Sequence, residues 1–369
     1  MLLFTPGPTP VPESVRQAMA TPTLHHRTPE FEAIFKEARE RLLKLLGMDE
    51  CVMIASSGTG VMQACMLNLC KTKALTVNAG KFGARFGKIA DAMGRDKVEL
   101  TYEWNTPCSV ADVENALNQN EDIDAIFIQV CESAGGLRHP VEVIAKRAKE
   151  VNPNIMIVAD GITAVGVEPI DVSNIDALIT GSQKALMLPP GLAMVGLSDA
   201  AVKKIGDGED YYFNLATEIK QQQKNTTAWT AATTLIIGLN AIFDAIDEEG
   251  MDALYANTAS RAAATQAALE AIGFSMYPQT PAPSMSTVFD EEAEPIRKLL
   301  KTKYGVNMAG GQDHLKGKLF RINQMGLIPV YESAWVVNAI ELALADMGRR
   351  EFDGTASRVF NETYFKKSN

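Results

Sequence analysis

Between residue 51 and about residue 200 the chain repeats one pattern, a short apolar run followed by a longer amphipathic stretch. The runs are CVMIA (51–55), ALTVN (74–78), KVELTY (97–102), DAIFIQV (124–130), IMIVAD (155–160), DALIT (176–180) and LAMVGL (192–197). Each is too short for a helix and apolar or β-branched with little interruption, the composition of a strand covered on both faces. Stretches between them, such as VMQACMLNLC (61–70) and VEVIAKRAKEV (141–151), carry helical periodicity. Alternating strands and helices close through right-handed crossovers, so the pattern predicts an α/β fold with a mostly parallel seven-stranded sheet. The last run follows its predecessor too closely for a helix to intervene, and is expected as an antiparallel addition.

Downstream the pattern changes. Residues 229–248 and 252–272 read as long helices, the second a bridge to a smaller α+β unit. That unit holds MSTVFD (285–290), the helix EPIRKLLKTKY (294–304), KLFRINQMG (318–326) and the helix ESAWVVNAIELALADMG (332–348). The expected organisation is an extended N-terminal segment (1–20) packed across both parts, a large domain (21–250) and a small C-terminal domain (251–369).

Composition bounds the function. The net charge of −10 disfavours nucleic acid and anionic membranes as partners, so an anionic ligand needs a local site. The prolines of MLLFTPGPTPVP are incompatible with a secretory h-region, and no 18-residue apolar run follows. Five cysteines (Cys51, Cys65, Cys70, Cys108, Cys131) form no CxxC pair, an odd count that fits a reducing cytoplasm.

Chemistry concentrates where strands end, the place at which open α/β sheets bind ligands. Lys184, in GSQKAL before Pro189-Pro190-Gly191, sits at the mouth of a buried strand, where desolvation and nearby positive charge free an amine for Schiff-base chemistry. The same lysine could equally be one of many solvated ones. Ser57, Gly58 and Thr59 lie in SSGTG, which opens a helix after the first run; this is either a phosphate cup or a plain N-cap. Asp160 ends the fifth run, placed to face a pyridinium nitrogen or to cap a helix. Phe82, between glycines in NAGKFG, could stack on a heteroaromatic ring or fill a core. Ser133, in ESAGG, could donate to a phenolate oxygen or only make a turn. Arg321, inside the apolar LFRIN run, needs a carboxylate or another anionic partner. The adjacent His25-His26 pair is not read as a metal site, because neighbouring helical side chains diverge and no third ligand is evident.

Each element is weak alone, but in sequence order they resemble the fold-type-I enzymes that use pyridoxal 5'-phosphate (PLP), specifically the class V aminotransferases of the serine/alanine–glyoxylate group. The resemblance covers nearly the whole chain: TPGPTPVP, SSGTG, NAGKFGAR, ESAGG, ADGIT, GSQKAL with PPG, NTTAWTAATTL and GKLFRINQMG. It implies that Lys184 holds PLP as a Schiff base and later shuttles a proton, and that Asp160 pairs with the pyridine nitrogen. Ile162 and Phe82 would take the two ring faces, with Ser133 near the ring oxygen. Ser57, Gly58, Thr59 and Gln183 would hold the phosphate, joined by Lys224 and Thr227 from a neighbouring subunit, hence a homodimer. Arg321, helped by Gly7, would clamp the substrate carboxylate. Phe82 stands where the family often has Trp or Tyr, Lys224 where some members have Tyr, and FRINQMG replaces FRIGHMG.

The activity so implied is ping-pong transfer of an amino group from alanine or serine to glyoxylate or pyruvate. Rivals on the same fold are phosphoserine or phosphonate aminotransfer, with His25, His26 or Arg27 as the extra cation, and cysteine desulfuration. A catalytically silent complex subunit is the rival of another class.

Overall fold

In the computed structural model, which describes residues 1–366, all seven runs are strands of one sheet. The strands in chain order are β1 (Leu2–Phe4), β2 (Glu50–Ile54), β3 (Lys73–Asn78), β4 (Asp96–Thr101), β5 (Ile123–Gln129), β6 (Cys131–Glu132), β7 (Leu137–Arg138), β8 (Met156–Asp160), β9 (Ala177–Gly181), β10 (Ala193–Leu197), β11 (Met285–Phe289), β12 (Val306–Gly310) and β13 (Leu319–Asn323). The large sheet has the order β2-β10-β9-β8-β5-β3-β4. The pairs β9/β8, β8/β5, β5/β3 and β3/β4 are parallel. Only β10 runs the other way, antiparallel to both its neighbours, as its short connection to β9 required.

Strands β2, β8, β9 and β10 are buried along their length and β5 at every residue but Asp124, because helices cover both faces of the sheet. One face packs on the helix Pro29–Leu46, whose Phe31, Phe35 and Leu42 are inaccessible. Thr28 caps that helix and Gly47 ends it in the left-handed conformation. The other face packs on Gly58–Leu69 through Val61, Met62, Cys65 and Met66. β4 departs from the expectation: it closes the sheet edge and its residues are half-exposed or exposed.

The second sheet, β1-β12-β13-β11, carries its own core of Phe4, Val288, Leu300, Phe320, Val336 and Ile340. The helix Met251–Ala271 bridges the two cores, with Leu254 in the first and Ala264, Ala268 and Leu269 in the second. Three sequence expectations need correction. The N-terminal segment is not extended throughout, since Glu13–Met19 is helical, while its extended part Leu2–Phe4 is the parallel edge strand of the small sheet. The helix expected from residue 229 begins at Thr233, because residues 229–232 are drawn into a loop in which Thr227 Oγ1 donates to the Trp229 carbonyl. Strand β12 was not anticipated.

Candidate active site

Five loops leave the carboxyl ends of β2, β3, β5, β8 and β9 on one edge of the large sheet, and they enclose a cavity of about 320 Å³. Ten of the residues singled out in the sequence line it: Gly7, Ser57, Gly58, Thr59, Phe82, Ser133, Asp160, Ile162, Gln183 and Lys184.

The Lys184 turn is held from both ends. Ser182 Oγ donates to the Pro189 carbonyl at 2.7 Å, the Leu188 amide returns to the Ser182 carbonyl, and the Met187 amide to that of Lys184. The N-terminal segment lies against it, with the Thr9 amide on the Gln183 carbonyl and Thr9 Oγ1 on the Lys184 carbonyl at 2.7 Å. Lys184 Nζ donates to the Pro6 carbonyl at 2.6 Å. Burial, reinforced by the positive charge of Arg321, pulls this amine down to about 8, against the opposing pull of Asp160. A usable fraction of the amine is therefore free near neutrality. The neutral form dominates above that value, so uptake of an aldehyde cofactor by the apoprotein is expected to accelerate as pH rises from 7 to 9. Stopped-flow absorbance measures this, and a flat profile would remove Lys184 as the titrating nucleophile.

Gly7 has φ +120° and comes so close to the lysine that a Cβ there would stand 2.6 Å from Nζ. Gly7→Ala is expected to cost about 1–3 kcal/mol from backbone strain, read as a lowered thermal midpoint, and to displace the amine, read as slower cofactor uptake.

Asp160 is not a helix cap. Its Oδ1 accepts the Ile162 amide at 3.0 Å within a turn. Burial pushes the carboxyl up to about 6, with the Ile162 amide, Lys184 and Arg85 pulling it back. Ser57 occupies the N-cap position of Gly58–Leu69 with extended backbone, yet its side chain makes no capping bond. This leaves a helix N-terminus with Ser and Thr hydroxyls facing the cavity, which is the donor set a phosphate requires. A free amine, a carboxylate, a flat aromatic wall and an uncapped helix start thus fit an aromatic aldehyde bearing a phosphate.

Arg321 is not among the residues that line the cavity, although its charge is felt at Lys184. Its Nη1 donates to the Ser133 carbonyl at 2.6 Å and its Nη2 to the Gly310 carbonyl at 2.8 Å, while Nε is buried without a partner. Burial lowers the guanidinium to about 10, so it remains charged at neutral pH.

Lys224 and Thr227 are not brought to this cavity. Lys224 is exposed, and Thr227 lines a separate small cavity with Trp229. His25 and His26 precede the helix Pro29–Leu46 rather than lying in a helix, so the reason given for their divergence fails: their rings stack at 4.9 Å. Neither they nor Arg27 line the cavity.

Sequence reasoning missed Arg85 and Cys131. Arg85 lines the cavity, donates to Thr59 Oγ1 at 2.7 Å and places its guanidinium carbon 4.7 Å from the Phe82 ring centre. Its spacing of three residues from Phe82 at a helix start was the available signal. Cys131 also lines the cavity, but burial pushes its thiol up to about 11, so it is no thiolate nucleophile.

The chain is similar to known proteins over nearly its whole length. The family model described as "Aminotransferase class-V" matches residues 1–325. An "Uncharacterized aminotransferase" of Helicobacter pylori (strain ATCC 700392 / 26695) is 49% identical over 367 residues, covering 99% of this chain and 100% of the relative. The "Serine--glyoxylate aminotransferase" of Methylorubrum extorquens is 27% identical, covering 96% and 93%. The crystal structure of an aspartate aminotransferase of subgroup IV from Thermus thermophilus superimposes with a TM-score of 0.88 at 29% identity, covering 94% of this chain and 99% of that one. With the family model spanning residues 1–325 and a relative 49% identical over nearly the whole chain, the chain belongs to the class V aminotransferases, enzymes that work with PLP.

Proposed function

We propose that this aminotransferase takes its amino group from a small amino acid, alanine or serine, and passes it to a small 2-oxo acid, glyoxylate or pyruvate. The observation that carries this reading is the single guanidinium at the substrate end. Arg321 is charged, buried and hydrogen-bonded only to main-chain carbonyls, with the Glu132 carboxyl nearby but not paired to it, so a substrate carboxylate would be its direct ion-pair partner. The guanidinium that lines the cavity, Arg85, is committed to Thr59 at the phosphate end. One free cation suits a monocarboxylate, and the serine–glyoxylate relative supports the same substrate class.

The bound PLP supplies an electrophilic carbonyl and a ring that withdraws electrons. Lys184 would hold the cofactor through its Nζ, and the same amine, when free, would serve as the base for the substrate's Cα proton. Asp160 would keep a bound ring nitrogen protonated. Phe82 and Ile162 would exclude water from the ring, and Ser57, Gly58, Thr59 and Gln183 would hold the phosphate. Ser133 would orient the ring oxygen. Gly7 leaves room beside Nζ for the incoming amine.

We assign Lys224 and Thr227 to the cavity of a second subunit, a reading supported by their position away from this chain's own cavity. A homodimer follows from that assignment, and dimer-dependent cofactor affinity in analytical ultracentrifugation checks it.

The test of substrate class is loss of the cofactor's visible band on mixing with alanine, serine, aspartate or phosphoserine. A fast response to alanine or serine is expected. Preference for aspartate, the substrate named for the Thermus structure, would overturn the monocarboxylate assignment. Arg321→Ala is expected to raise KM for alanine about 100-fold or more, since a charged hydrogen-bonded pair in a buried site contributes several kcal/mol. An unchanged KM would take Arg321 out of the site.

A further inference from the structure

Glu132 is fully buried at the end of β6, beside the cavity but outside its lining. Its carboxylate forms no ion pair with Arg321 or any other described cation at bonding distance. It is satisfied by main chain instead: Oε2 accepts the amides of Phe82 at 3.0 Å and Gly83 at 2.7 Å, and Oε1 accepts the Ala134 amide at 2.9 Å. Gly80 makes room for it, since a Cβ there would lie 2.4 Å from Glu132 Cγ. Two loops that the chain separates by some fifty residues are thereby tied to one carboxylate. The first carries the Phe82 ring. The second carries Ser133, whose carbonyl receives Arg321 Nη1.

We propose that Glu132 is a positioning residue that fixes the distance between the aromatic wall facing the cofactor and the guanidinium facing the substrate. The inference rests on the roles given to Phe82 and Arg321 above. Burial lifts the Glu132 carboxyl to about 7 against the pull of its amide donors; when ionised, one carboxylate collects several convergent N–H donors, and each such bond is stronger than a neutral one. The charge also lies close enough to Arg321 to favour its protonated form. Buried main-chain N–H groups left without an acceptor would be costly, so both loops are expected to move if the carboxylate is removed.

Two variants separate the two halves of the tie. In Glu132→Gln the amide oxygen can still serve Phe82 and Gly83, but the amide NH2 then faces the Ala134 N–H and cannot accept it. In Glu132→Ala all three bonds are lost. Amide hydrogen exchange on the apoprotein is read first, since it needs neither cofactor nor turnover. Segments containing Phe82, Gly83 and Ala134 are expected to exchange faster in Glu132→Ala, and only the Ala134 segment in Glu132→Gln. PLP titration is expected to show affinity about tenfold weaker in Glu132→Ala and within about threefold of wild type in Glu132→Gln, on the scale of hydrogen bonds to a charged group. KM for the amino acid is expected to rise in both, through Ser133 and Arg321, with kcat less affected in Glu132→Gln.

Wild-type exchange at all three amides in Glu132→Gln, with KM and cofactor circular dichroism unchanged, overturns the proposal, and does so even if Glu132→Ala fails to fold. Exchange that responds as expected while PLP affinity and KM stay constant also overturns it, leaving Glu132 a purely structural residue. Failure of the Phe82 assignment is told apart by Phe82→Ala: unchanged PLP affinity there faults that assignment, whereas the exchange pattern at Glu132 does not depend on it.

Discussion

Lys184→Ala is expected to lower transamination by roughly 10⁴-fold or more, because one side chain serves both as the nucleophile that holds the cofactor and as the base that moves the proton. Truncation removes a buried cation whose single hydrogen bond goes to the Pro6 carbonyl, and the turn around it is maintained by main-chain and Ser182 bonds that do not involve the side chain. The thermal midpoint of the apoprotein is therefore expected to stay close to wild type. The contacts assigned to the phosphate and ring survive the substitution, so the variant should still bind PLP, now without a covalent link that borohydride can fix. Added small primary amines are expected to restore part of the lost rate, since they replace the missing base in the space left at the cavity. Retention of more than about one percent of wild-type kcat, well above what loss of a general base leaves, would mean that another group is the base. Cys131, a neutral thiol on the same wall, is poorly suited to that role.

Asp160→Asn is the second large effect. Asparagine has the same shape and its amide oxygen can keep the Ile162 N–H, so the turn is expected to persist. What disappears is the only carboxylate that lines the cavity among the described residues. Without it the ring nitrogen loses its proton and the ring withdraws electrons less well, an electrostatic loss expected to lower kcat by about 10²–10³-fold. The same substitution removes a negative charge that favours the protonated form of Lys184, so the free-amine fraction at pH 7 rises. Faster cofactor uptake combined with slower turnover is the signature to look for. Turnover equal to wild type would show that Asp160 does not pair with the ring.

The large sheet was legible because strands buried on both faces leave no polar alternation to disguise them. DAIFIQV and IMIVAD are nearly unbroken apolar runs, and their order relative to the glycine-rich turns fixed where ligands could sit. β12 was not legible for the opposite reason. VNMAG alternates buried and half-exposed positions and ends at a glycine, and its partner β1 lies about three hundred residues away in the chain. Seven of the candidate residues (Ser57, Gly58, Thr59, Phe82, Ser133, Asp160 and Lys184) could be collected from strand ends alone, whereas Gly7, Ile162 and Gln183 came only through the family resemblance. Arg85 could not, because an arginine in the first turn of a helix ordinarily looks solvated, and its turn toward Thr59 and Phe82 is a tertiary fact. Glu132 was visible as part of a polar turn, but its three amide partners belong to two loops, and no local pattern announces that. The length of the helix from residue 229 was misjudged because Trp229 and Ala231-Ala232 suit a helix by composition, while the Trp229 carbonyl is taken by Thr227.

Reversal of the single strand β10 has a bearing on how the enzyme tolerates change. The other strand-end loops lead into long crossovers, where an insertion alters slack that a helix can absorb. The Lys184 turn has no such slack: the ladder closes on it from both sides, with Ala193 opposite Gly181 and the pairing continuing to Leu197 opposite Ala177. A residue added within it must either bulge into the cavity or shift β10 by one position, which would turn Met194 and Val195 to the opposite faces of the sheet. Lys184, which we assign as the nucleophile, is thus placed by strand register, and its turn is expected to tolerate insertion less well than the loops that lead into crossovers.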